Sequence, residues 1–68
     1  MKGFIEIVTK GNKPRLINVR YIEEVAEVDK HHCEIYMAFN SPTAYEQDHY
    51  YVHMSYDIIV ELIREAME

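Results

Sequence analysis

A single cysteine, Cys33, stands in the 68 residues, so no intrachain disulfide can form. A lone thiol fits a reducing cytoplasm better than an oxidising compartment. Glycine and proline occur only twice each, and no Gly-rich phosphate loop, Walker-type run or Ser-centred elbow can be assembled from them. Long apolar runs are missing as well. The N-terminal Lys2-Gly3-Phe4-Ile5-Glu6 lacks an apolar stretch of signal-peptide length, and no segment nears the roughly 20 apolar residues of a membrane span. The expectation is a cytoplasmic chain without membrane partners. A basic cluster is also lacking: seven Lys and Arg are scattered from Lys2 to Arg64 against twelve Asp and Glu, for a net charge of −5. Counterion release by a basic patch drives most nucleic-acid affinity, so direct binding of DNA or RNA is not expected.

What is present belongs to a folding chain. The apolar fraction of 49% lies in the globular range. A chain this short buries only about 60% of its unfolded surface, and a core so thin contributes roughly 3–5 kcal/mol unless self-association or a ligand adds to it. The pattern predicts an α+β fold in one domain over 1–68: an antiparallel meander of four or five strands, with one C-terminal helix packed on one face. Strands are expected at about 4–9, 15–19, 23–29, 33–39 and 49–54, and a helix at about 55–67.

The turn formers Lys10-Gly11-Asn12-Lys13-Pro14 separate the first two strands, the second opened by its proline. Over 23–29 a helix competes with a strand, because glutamates favour helices and Tyr21, Ile22, Val25 and Val28 are nearly helical in spacing. The clearest pair follows. Cys33, Ile35, Met37 and Phe39 alternate with Glu34, Tyr36 and Ala38, and Tyr50, Val52 and Met54 alternate with Tyr51 and His53. A shared apolar face sets Phe39 opposite Tyr50, Met37 opposite Val52 and Ile35 opposite Met54. The reverse face then carries Tyr36 opposite His53 and Ala38 opposite Tyr51. Ser55 is a natural N-cap, Asp57 suits the first turn, and Ile58, Ile59, Leu62, Ile63 and Ala66 form an apolar stripe. The helix is expected against Ile35, Met37, Val52 and Met54.

No set of residues reads as an active centre. Structural zinc wants four convergent ligands. His31 and His32, adjacent in a turn, tend to diverge, Cys33 points inward, His53 outward, and His49 sits at the far end of the hairpin. No metal ligand, cofactor or catalytic residue is assigned. Cys33 reads as a small core residue, and Glu23, Glu24, Glu27 and Asp29 as a solvated acidic ridge. More informative is the uncovered sheet face. Six tyrosines are many for this length, and tyrosine suits interfaces because it offers area and a hydroxyl together. Tyr36, Ala38, Tyr51 and His53, with Tyr45 from the loop Asn40 to His49, are the candidate interface.

The order Leu16-Ile17-Asn18-Val19, then Tyr21-Ile22-Glu23-Glu24-Val25, then Tyr51 to Ile59 entering an amphipathic helix, resembles the small FlbD-type proteins of bacterial flagellar operons. It is also similar to a diffuse set of small bacterial and phage proteins. The likeness rests on Asn18, Ile22, Ser55 and apolar spacing; where that family has a tight Asn-Gly hairpin, this chain has a long loop with Pro42 and Tyr45. The resemblance implies the fold and no catalytic residues. The expected function is a non-enzymatic protein-interaction module, self-associating and serving as an accessory or regulatory factor of bacterial or phage origin. Two alternatives stay open: a small-ligand or metal binder with its pocket between subunits near His31, His32 and His53, and an acidic inhibitor that occupies a basic site on another protein.

Overall fold

Ile5 and Ile7 alternate with Glu6 and Val8, and this period of two lays both isoleucines of strand β1, Phe4–Thr9, on one buried face. In the computed structural model, which describes residues 2–38 and 49–68, β1 turns through Gly11 and Asn12 into β2, Lys13–Asn18. Both turn residues have positive φ, 81° and 58°, a backbone state that Gly and Asn accommodate best. Pro14 lies inside β2 opposite Val8 rather than opening the strand, which is tolerated because β2 is a sheet edge. Val19, expected to end that strand, instead begins a short 3-10 turn, Val19–Tyr21; the Asn18 side chain caps it by accepting the Arg20 N–H at 3.0 Å.

That turn delivers the chain to β3, Ile22–Asp29, a strand and not the competing helix. Then follow β4, His32–Met37, β5, His49–Val52, and the helix α1, Tyr56–Met67. The fold is α+β, with five antiparallel strands in one sheet and one C-terminal helix. Their order, β2-β1-β5-β4-β3, differs from a continuous meander. A β1–β2 hairpin and a β3–β4–β5 meander meet where β1 pairs with β5, through Thr9 opposite Val52 and the His53 N–H on the Val8 carbonyl at 2.8 Å. Composition explains the order. Apolar β1 takes an inner place, while β2, with its exposed Lys13, Pro14 and Arg15, and glutamate-rich β3 take the edges, where charge and proline discourage further strand pairing.

The register of β4 with β5 also differs from expectation. Ile35 lies opposite Tyr50, not Met54, and Cys33 opposite Val52, with Glu34 facing Tyr51 and Tyr36 facing His49. An even slip keeps every side chain on its face, so the inward set is unchanged while the outward neighbours are new. Phe39, Tyr45 and the rest of 39–48 lie outside the described residues.

Ile7, Ile35, Val52, Cys33 and Ile59 are fully buried in one core. The helix starts at Ser55, whose hydroxyl accepts the Ile58 N–H at 3.3 Å, and runs beside β1, β3 and the 3-10 turn. It buries Ile59 and Ala66 and half-buries Leu62 and Ile63, while Ile58 faces outward at 51% exposure, against the expected stripe. Ile35, Met37 and Val52 share the core with Ile59, but β1 is the strand α1 approaches most. Gly3, at φ 86°, ties both ends together: its N–H donates to the Ala66 carbonyl and its carbonyl accepts from the Val19 N–H, each at 2.9 Å.

Candidate functional site

The pleat that turns Cys33, Ile35 and Met37 inward turns His32, Glu34 and Tyr36 of β4 outward; on β5 it sends His49 and Tyr51 outward against Tyr50 and Val52. His53 follows directly on the same side. Five rings therefore meet on the face that α1 leaves uncovered. Tyr36 stacks on His49 with centroids 5.3 Å apart, and His32 stacks on Tyr51 at 5.5 Å. His53 stands edge-on to both His32 and Tyr51, at 5.0 and 5.5 Å. Such pairs contribute about 0.5–1.5 kcal/mol beyond the area they bury. Tyr51 remains 40% exposed, and the others keep part of their surface accessible.

A tight turn sets the position of His32. The Asp29 carboxylate accepts the His31 N–H and the Nδ1–H of His32 on the same oxygen, each at 2.8 Å. These donors, the His31 backbone first, hold the Asp29 carboxyl below the usual carboxylate range. Glu34 accepts the Tyr36 hydroxyl at 3.2 Å. Beneath this layer the Cys33 thiol is fully buried, and burial pushes its pKa up, so it lacks the thiolate character of a nucleophile.

Of the expected interface residues, Tyr36, Tyr51 and His53 share this face, with His53 beside His32 and Tyr51 instead of opposite Tyr36. Ala38 follows the end of β4 and donates its N–H to the Tyr21 carbonyl at 2.6 Å, fixing the corner. Tyr45 lies outside the described residues. His32 and His49 join the face without having been singled out for it. Their signal was parity: His32 stands two residues before Glu34, and His49 two before Tyr51.

The charges fall into two territories. Glu23, Glu24, Glu27 and Asp29 are exposed along edge strand β3. On the other half of the sheet, Thr9, Lys10, Lys13, Arg15, His49 and Tyr51 line a shallow groove of about 360 Å³, and the Arg15 guanidinium lies 5.3 Å from the Tyr50 ring centroid. Three of the seven Lys and Arg, dispersed along the chain, thus gather at one place. Among the described residues no group of three or more His, Cys, Asp and Glu is arranged to hold a metal ion, and no helix is long and apolar enough to cross a membrane. Comparison with protein-family models, with curated proteins and with solved structures finds no match.

Proposed function

We propose that this chain is a small non-enzymatic protein-interaction module that associates with a second copy of itself through the face opposite α1. The observation that carries the reading is the layer of five contacting rings on that face, with Tyr51 still 40% exposed. Tyrosine-rich surfaces of this kind suit interfaces, and the thin core of a short chain gains from a second layer. A two-fold axis parallel to the strands and passing over β5, the middle strand, sets the ring layer of one chain over that of the other. An isologous interface requires this kind of self-complementarity.

The module fits a reducing cytoplasm, in keeping with its unpaired, buried Cys33. The likeness to FlbD-type proteins enters the reading only as an accessory or regulatory role of bacterial or phage origin. Light scattering over a wide concentration range tests it. A dimer that Tyr51→Ala weakens supports the reading. A chain that stays monomeric at high concentration overturns it.

A further inference from the structure

We propose that His32 and His53 form half of a binding site for a borderline divalent transition metal such as zinc, completed by the same two histidines of a second copy. The site rests on the self-association reading above. Three observations carry it. First, the two ring centroids are 5.0 Å apart. With Zn–N bonds of about 2.0–2.1 Å and tetrahedral angles, two imidazoles that share one ion have centroids roughly 5 Å apart.

Second, His32 is already held as metal-binding histidines usually are. Its Nδ1–H donates to the Asp29 carboxylate at 2.8 Å, which leaves the Nε2 lone pair as the donor. Asp29 is itself anchored by the His31 N–H at 2.8 Å. The orienting layer behind the ligand is therefore built from the turn. Third, the His53 ring touches His32 and Tyr51 but takes no hydrogen bond among the described residues, so neither of its nitrogens is committed to one of them.

One chain supplies two imidazoles, and a structural zinc site wants four ligands. Cys33, the nearest soft ligand in sequence, is fully buried on the opposite face. The two-fold axis over β5 supplies the missing pair, because His53 follows the middle strand and His32 opens its neighbour β4. Sheets packed face to face stand about 10 Å apart, a gap that imidazoles reaching from both sides can close. Nitrogen donors select zinc, copper or nickel over magnesium and calcium, which want oxygen.

The test uses the full chain stripped with EDTA, with zinc titrated by calorimetry and mass followed by light scattering in the same samples. The expected result is one zinc per pair of chains and a tighter dimer. His32→Ala and His53→Ala should each abolish tight binding, and Asp29→Asn should weaken it by about 10–100-fold. Circular dichroism verifies that each variant is folded. A chain that dimerises equally with and without zinc and binds none overturns the metal site and leaves the interaction module standing. Zinc bound by a chain whose mass stays that of a single copy overturns the shared site. A monomer in every condition overturns both.

Discussion

Replacing Ile59 by alanine should come close to unfolding the protein, whereas the same change at its neighbour Ile58 should be nearly silent. Ile59 is fully buried and Ile58 is 51% exposed, although the two are adjacent on α1 and chemically identical. At Ile59 the truncation removes about three buried carbon groups at about 0.8 kcal/mol each. The cavity left behind brings the total to roughly 3–4 kcal/mol, within the range for such truncations. A single core of this size contributes only about 3–5 kcal/mol in all, so Ile59→Ala leaves little or no net stability. At Ile58 most of the side chain already meets water, and a cost below about 1 kcal/mol is expected. Urea melts followed by circular dichroism at 222 nm, a wavelength that reports the helix, measure both. Equal costs at the two positions would refute the placement of the helix face.

Three further outcomes follow from the geometry. Cys33 should resist a thiol reagent in the native chain and react at once in urea, because burial raises its pKa and shields it. The raised thiol pKa contributes stability that is fully present below the ordinary thiol range and lost as pH rises through the folded value; fast labelling of native protein at neutral pH contradicts the core placement. Gly3→Ala should lower stability by roughly 1–2 kcal/mol from left-handed backbone alone, since an added Cβ meets nothing within 4 Å; thermal melts that show no loss count against the Gly3–Ala66 tie. The Asp29 carboxyl, followed by NMR, should titrate below the usual carboxylate range. Its contribution to stability is present above the ordinary carboxylate pKa and disappears as pH falls through the lowered value. A normal or raised midpoint would remove the Asp29–His31–His32 turn from the account.

Local pattern made the faces legible. Alternation from Cys33 to Met37 and from Tyr50 to Val52 marks which residues point inward, and a register slip of even length leaves that assignment untouched. Ser55, Asp57 and the unbroken stretch beyond them announce α1. What alternation does not encode is partner choice. The β1–β5 pairing joins segments more than half the chain apart, and its only local trace is that β1 is more apolar than the strands that became edges. Register was equally hidden, because period two is satisfied by any even slip and the hairpin connection was too long to fix one. That is why His53 was set against Tyr36, when it stands beside His32. The outward tyrosines were legible; the meeting of His32 and His53 depended on register and was not. The outward Ile58 shows a further limit: a stripe of apolar residues on a helix is wider than the strip the sheet can cover.

Isotope-filtered NMR on a mixture of labelled and unlabelled chains tests the central claim most directly, since it reports only contacts between copies. The account predicts intermolecular cross-peaks from the ring protons of His32, Tyr51 and His53. Intermolecular contacts confined to α1, or none at concentrations where the mass is that of one chain, would contradict it.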